Sequence, residues 1–319
     1  MATLQAAKRP QRDVLGQIDR SQPAPAGSSI AAQAAPLNAA LADPSLGSPR
    51  SYEAGAPLYR RGEQAENVFL LLGGQVRVSE RHAGADIVYG AGQVLGAHSL
   101  FDEGLHTETV HAVGNVQALL IGAAGLRPAL AADNSLLASV LMGLNLQQHK
   151  VSALSDQTGG PQADYALLGE RTYTGPELQR ELLEAKTRPP GEGMSAEQLM
   201  CLQLQAGDQL PLAVVRAGQS LGQAGQLGGG AALMIVSGKA SARWGGHAVE
   251  LGQGSVIGLA EALSGQPFAW DYTVSQDLNA RQWPIERALQ QLERAGPVWR
   301  ALAGHFCAGI ARCQQEALG

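Results

Sequence analysis

The sequence predicts a mainly β protein with flanking α-helices: two antiparallel, jelly-roll-like β-roll domains, each followed by helices. Three observations carry this. Forty of the 319 residues are glycine, and a chain so dense in turn formers favours short strands over long helices. Apolar runs of strand length, such as VFLLLGGQVRVSE (68–80), are punctuated by those glycines. Four turn glycines also recur at a nearly constant spacing: Gly62 with Gly225, Gly74 with Gly238, Gly92 with Gly254, and Gly96 with Gly258. Such regularity is the mark of an internal duplication.

Taken in order, residues 1–50 are rich in Ala, Gln, Pro and Ser and have no aromatic residue, so they read as a disordered tail. Strand grammar begins at Ser51. It runs through VFLLLGGQVRVSE, IVYGAGQVLG (87–96) and NVQALLIG (115–122). Residues 126–154 then take helical spacing, with Leu136, Leu137, Val140, Leu141 and Leu144 on one stripe. This gives a first domain over 51–154.

Residues 155–204 form a helical connector. Within it GPELQRELLEAKT (175–187) has Pro176 at its start and Pro189-Pro190 beyond its end, and Ser195 is placed to cap a second helix. From 205 to 319 the first pattern repeats, with LMIVSGKASA (233–242) matching the earlier strand pair. It closes in a helix over 285–318 that Gly296-Pro297 interrupts.

A net charge of −5 gives no general attraction for nucleic acid or acidic membrane. No apolar run reaches the ~20 residues that span a bilayer. Cys201, Cys307 and Cys313 form no CxxC pair, and reduced thiols in a cytoplasmic protein are expected. The seven histidines form no HxH or HExxH pattern, and His98, His106 and His111 lack the spacing of a cupin-type metal site. Neither a metal nor an enzymatic activity is expected.

The segments GEQAENVFLLLGGQVRV (62–78), GQVLGAHSLFDEG (92–104) and GSVIGLAEALSGQP (254–267) resemble the cyclic nucleotide-binding domain family. That resemblance implies a β-roll holding a short helical cassette. A glutamate just after the cassette glycine takes a ribose hydroxyl, and an arginine some ten residues later pairs with the cyclic phosphate. The chemistry is sound, since Arg offers a planar fork of charge-assisted donors to an anion.

Neither copy keeps this pair. In the first, Ala97 follows Gly96 where the glutamate belongs, and Thr107 stands at the arginine position with Glu108 beside it. Ser99 and Thr107 retain hydroxyl donors. His98 and His106 are read as surface residues of a loop. In the second copy Leu259 follows Gly258, Phe268 stands at the arginine position, and Glu261 lies two residues past the family glutamate, where it is expected to face solvent. Phe268, Trp270 and Tyr272 are at i, i+2 and i+4 and share one face of a strand. They either fill the pocket or stack on a flat ligand, and filling is the plainer outcome.

The chain ends at Gly319 directly after the last helix, so no helix-turn-helix and no DNA binding are expected. What this leaves is a regulatory or scaffold protein that acts through protein contacts and needs no cofactor. The alternative is a sensor of a cyclic nucleotide or cyclic dinucleotide with an altered site. The helices over 126–154 and 285–318, including Trp299, Leu302, Phe306 and Ile310, have the spacing for packing within the chain or for a homodimer.

Overall fold

The computed structural model describes residues 47–79, 87–101, 104–106, 108–124, 126, 135–155, 171–188, 194–228 and 231–317. The tail read over 1–50 therefore lies almost wholly outside the described residues, as does Thr107.

The first roll holds eight strands, β1 (Ser48–Tyr52), β2 (Pro57–Tyr59), β3 (Asn67–Gly73), β4 (Gln75–Ser79), β5 (Ile87–Gly90), β6 (Val94–Leu95), β7 (Thr109–Ala112) and β8 (Val116–Gly122). They form two antiparallel sheets, ordered β1-β8-β3-β6 and β2-β7-β4-β5. Alternation decides which side faces in. In QVRVS, Val76 and Val78 are fully buried and Arg77 is exposed, the period of two that a half-buried strand requires.

The second roll repeats this plan with β9 (Leu212–Val215), β10 (Ser220–Gly222), β11 (Ala231–Trp244), β12 (His247–Leu251), β13 (Val256–Ile257) and β14 (Asp271–Pro284). β11 spans what β3 and β4 do separately, and β14 spans β7 and β8. Irregular pairing between Ile235 and Ala240 bends the β11–β14 ladder where the first roll has breaks.

All eight repeated glycines have φ between 65° and 89°. At Gly74 a Cβ would lie 2.3 Å from Asn115 O, and at Gly238 2.0 Å from Asp277 O, so both the backbone angle and the space exclude a side chain. This physical demand explains why the glycines mark the duplication. Gly55 and Gly218, with φ of 79° and 83°, are a fifth pair that the sequence reading passed over.

Among the described residues there are six α-helices: α1 (Ser135–Ser155), α2 (Gly175–Thr187), α3 (Ala196–Ala206), α4 (Leu259–Ser264), α5 (Ile285–Ala295) and α6 (Pro297–Glu316). The helix expected over 126–154 is described only from Ser135, because 127–134 lie outside the described residues. Both connector helices are capped, the second by Ser195 as expected and the first by Thr174 and Glu177, which the sequence reading did not name. Thr174 N–H donates to the Glu177 carboxylate at 2.8 Å, and Ser195 Oγ accepts from Gln198 N–H at 3.2 Å. The Thr174 backbone and hydroxyl donors, helped by Arg171, hold the Glu177 carboxyl down at about 2.

α1 occupies the centre of the molecule. Leu137, Val140, Leu141 and Leu144 are at most 2% exposed, and Asn145 and Gln147 are buried as well, so apolar and polar faces alike are covered. Beneath it Trp283 Nε1 donates to Ser139 Oγ at 3.1 Å, and a Cβ on Gly143 would come within 2.9 Å of the Trp283 ring. α6 packs along α1 and reaches back to the first roll. Phe306 meets Phe101 at 6.2 Å, and Arg312 lies over the Tyr89 ring at 5.7 Å while bonding its hydroxyl. The two terminal helices are thus packed against each other within the chain, and Trp299, Leu302, Phe306 and Ile310 are buried there.

Candidate functional site

In the first copy, β6 delivers the chain to Gly96, whose positive φ turns it into a single turn of 3₁₀ helix at Ala97–Leu100. Ala97, Ser99 and Leu100 point inward and are 0–3% exposed. Ala97 offers a methyl group where the family places a carboxylate.

His106 is not a surface residue, contrary to the sequence reading. It is 4% exposed, stacks on Tyr59 at 3.8 Å, and meets His98 edge-on at 5.5 Å. His98 itself is half-buried. The reason is local pairing: His106 N–H donates to Glu63 O and its carbonyl accepts from Gly62 N–H, which draws the ring onto β2. Beside it the Tyr59 hydroxyl donates to Glu108 at 2.5 Å. Burial, followed by Glu108, pushes the Tyr59 hydroxyl pKa well up.

Burial, and then the neighbouring His98, bring His106 down to about 4 from an ordinary 6.5. His305 on α6 also falls to about 4, from burial first and then from Arg312 and His98. Both rings are therefore neutral at pH 7 and give no charge to an anion. A depressed histidine pKa favours the folded state above the unfolded value, and that contribution is lost as pH falls through the folded one. Urea midpoints are expected to hold steady above pH 6.5 and to decline toward pH 4. His106→Gln should flatten that decline, and an unchanged pH profile in the variant would remove His106 as its source.

In the second copy Gly258 opens α4, and five consecutive residues, Leu259 to Leu263, are buried. Glu261 does not face solvent. It is 3% exposed, and its two carboxylate oxygens accept from Gln147 Nε2 at 3.1 Å and Gln314 Nε2 at 2.8 Å. Gln147 in turn accepts from Ala260 N–H at 3.2 Å. Because α1 and α6 both pack over α4, the side that α4 alone would leave open is closed by residues more than 50 positions away.

Phe268, Trp270 and Tyr272 come together, though not on a common strand: β14 begins at Asp271, so only Tyr272 lies on it. They are 5%, 1% and 3% exposed. Phe268 lies against Gly222 of β10 and the turn glycine Gly258, so a Cβ on Gly222 would approach its ring to 2.7 Å and one on Gly258 to 3.1 Å. Phe268 and Tyr272 meet edge-on at 5.7 Å, and Trp270 stacks on Trp244 at 4.2 Å. Trp270 Nε1 has no hydrogen-bond partner among the described residues, so stacking and burial hold that ring. Burial, with Glu261 adding to it, raises the Tyr272 hydroxyl well above its usual range.

The residues missed in the sequence are Gln147, Gln314, Tyr59 and His305. The first two carried a weak signal, as amides inside helices otherwise lined by apolar residues. Among the described residues no cluster of three or more His, Cys, Asp or Glu side chains could hold a metal ion, and no helix is long and apolar enough to cross a membrane.

Residues 49–133 match the cyclic nucleotide-binding domain family. No curated protein matches the chain. Among solved structures, a mutant regulatory subunit of a cAMP-independent protein kinase A from Trypanosoma brucei, bound to cAMP in its A site, is 12% identical. That match covers 77% of this chain and 78% of that one at a TM-score of 0.31. The regulatory domain of Toxoplasma gondii PKA with cAMP is 14% identical, covering 84% and 85% at a TM-score of 0.26. The N-terminal domain of a transcriptional regulator from Streptomyces coelicolor A3(2) is 26% identical, covering 30% and 76% at a TM-score of 0.25. Scores this low transfer no residue's role. The chain is built as a tandem of the cyclic nucleotide-binding fold, its first copy matched by the family at 49–133 and its second repeating the strands and turn glycines of the first.

Proposed function

We propose that this is a non-enzymatic regulatory or scaffold protein, working through protein contacts in the cytoplasm, in which the phosphate and ribose clamp of the fold has been lost. One observation carries the reading. The interior of the second cassette is taken up by Phe268, Trp270 and Tyr272, and Glu261 is committed to Gln147 and Gln314. A nucleotide entering there would have to displace three buried aromatic rings.

The first cassette, AHSL, contains no Lys or Arg, and its histidine neighbour His106 is neutral at pH 7. Giving up a charge-assisted hydrogen bond forfeits roughly 1.5–3 kcal/mol, or about one to two decades of affinity. The three cysteines are buried and none is in a disulfide among the described residues, and burial pushes the Cys201 thiol up to about 12, which suits a reducing compartment and no thiol chemistry.

Isothermal calorimetry of the whole chain with cAMP, cGMP and cyclic di-GMP at low salt is expected to show no saturable heat. Saturable micromolar binding of any of them overturns the proposal. A second reading, sensing at the first cassette alone, is favoured by one feature: His106 Nδ1 is buried without a hydrogen-bond partner among the described residues. If that cassette binds a ligand, Ser99→Ala and His106→Gln should weaken it while Phe268→Leu should not.

A further inference from the structure

β9 lies at an edge of the second roll. Its strand partner among the described residues is β14, with Leu212 opposite Arg281, Val215 opposite Leu278 and no break in register between them. Gln282 N–H donates to Pro211 O at 2.9 Å, which makes Pro211 a hydrogen-bonded position of that ladder. Alternation along an antiparallel pair then turns the backbone groups of Ala213 and Val215 toward β14 as well, and those of Leu212 and Val214 toward the outer edge. Pro211 does not guard that edge, because its nitrogen also faces β14. The outward N–H and C=O groups of Leu212 and Val214 meet no backbone partner among the described residues. This open stretch is bounded on both sides: Leu210 N–H donates to Gly207 O and its carbonyl accepts from Arg281, while Arg216 N–H donates to Gln219 Oε1. The side chains of Leu212 and Val214 share one face of the strand and are 56% and 42% exposed.

The duplication supplies an internal control. β1 holds the place of β9 in the first roll, where Arg50 pairs with Ala118 as Ala213 pairs with Ala280. Pro49 therefore stands where Leu212 does, and Ser51 where Val214 does. A proline without an N–H and a charged side chain beside it are devices by which edge strands avoid pairing with another chain. β9, with the sequence LAVV, has neither. The fold thus does not call for two exposed aliphatic residues here, and they leave apolar area in water that a further strand would cover.

We propose that β9 pairs antiparallel with β9 of a second copy of this chain, so that two second rolls share one continuous sheet. One register uses every open group: Leu212 of each copy opposite Val214 of the other, with Ala213 opposite its own equivalent. Each Leu212–Val214 pair then exchanges both N–H to O=C bonds and sets a leucine against a valine on the exposed face. Centring the pairing on Leu212 or on Val214 instead would bring in Leu210 or Arg216, whose N–H groups are already engaged. The flanking charges agree with this orientation. Asp208 precedes the strand and Arg216 follows it, so reversing the second strand brings the acid of one copy toward the base of the other. Each already has an ion partner in its own chain, Arg281 and Asp277, so these exposed charges add orientation more than strength. The pairing is isologous and independent of what either cassette holds.

Sedimentation velocity of the full chain, from micromolar to submillimolar concentration, is the test. The sedimentation coefficient is expected to climb with concentration toward that of a dimer, with an affinity weaker than micromolar because one short strand makes a small interface. Leu212→Lys and Val214→Glu should each weaken association by about 10-fold or more, since a twofold interface meets each change twice. Mixed in equal amounts, the two variants should associate again: in that pairing the introduced charges face each other, and the second Leu212–Val214 pair is native. Leu183→Lys, which changes an exposed leucine of α2, should associate as wild type does. A wild-type chain that stays monomeric throughout would overturn the proposal. So would association unchanged in both edge variants, or a mixture that associates no more tightly than either variant alone. Both edge side chains are exposed, so far-UV spectra and urea midpoints close to wild type are expected and check that the variants are folded.

Discussion

Glu261→Ala is expected to destabilise the protein by about 3–5 kcal/mol, because two buried amides lose a charge-assisted acceptor worth roughly 1.5–3 kcal/mol each. The site cannot compensate with water cheaply, since Glu261 and Gln314 are each 3% exposed, as is Gln147. The latch also ties three elements at once: α4 through Glu261 and Ala260, α1 through Gln147, and α6 through Gln314. Loss of one carboxylate should therefore loosen the docking of both terminal helices.

Glu261→Gln separates chemistry from volume. It keeps one oxygen but turns an amide NH₂ toward a Gln147 or Gln314 donor, so about 1–2 kcal/mol is expected from one unmet polar group. Urea denaturation at pH 7, followed by tryptophan fluorescence, measures both. A double-mutant cycle of Glu261→Ala with Gln314→Ala should show coupling of about 0.5–3 kcal/mol. Losses within about 0.5 kcal/mol of wild type for Glu261→Ala would mean that the carboxylate holds nothing together.

Much of the architecture could be read from the chain, for a reason that lies in single residues. Gly74 and Gly238 admit no Cβ, so neither copy tolerates another residue there, and the spacing of such positions records the strand plan. Local chemistry was legible at the second connector helix, where Ser195 caps its own first turn, while the Thr174–Glu177 pair that caps the first was passed over.

Legibility failed where the partners are distant in sequence. Glu261 was expected in solvent because a six-residue helix considered alone always has an outer side; α1 and α6 cover it, from 114 and 53 positions away. His106 was expected on a loop surface because nothing near it in sequence announces Tyr59 as its stacking partner. The aromatic cluster was reached through a strand alternation that holds only for Tyr272; Phe268 and Trp270 converge on it from the preceding loop.

The helix pairing has a similar origin. α1 is buried on nearly every side, so its sequence shows a stripe but not which neighbour covers which side. The duplication resolves this in hindsight. A shift of 162 residues places Ser135–Ser155 on Pro297–Gly319's first 21 positions, and each helix reaches the cassette of the other copy: Gln147 to Ala260 and Glu261, Phe306 to Phe101. The two halves complete each other's cores, which is why removing one roll should expose the other's cassette.

Phe268→Ala tests whether bulk alone keeps a nucleotide out. The ring is 5% exposed and fills the space between Gly222 and Gly258, so its removal should cost about 3–5 kcal/mol in transfer and cavity terms. Phe268→Leu, which leaves a smaller void, should cost less and remain folded if the alanine variant does not. The void is lined by Tyr272 and by the backbone of Gly222 and Gly258, a surface suited to a small apolar guest rather than to an anion. Indole is accordingly expected to raise the urea midpoint of Phe268→Ala and to leave wild type unchanged, because a ligand that binds only the folded variant stabilises it by mass action. Calorimetry of the same variant with cAMP is expected to stay silent, since removing the ring creates room but supplies no donor of charge in place of the missing arginine. Micromolar cAMP binding by Phe268→Ala would show instead that the second cassette is a competent site closed by one side chain, and the proposed loss of the clamp would then be wrong for this copy.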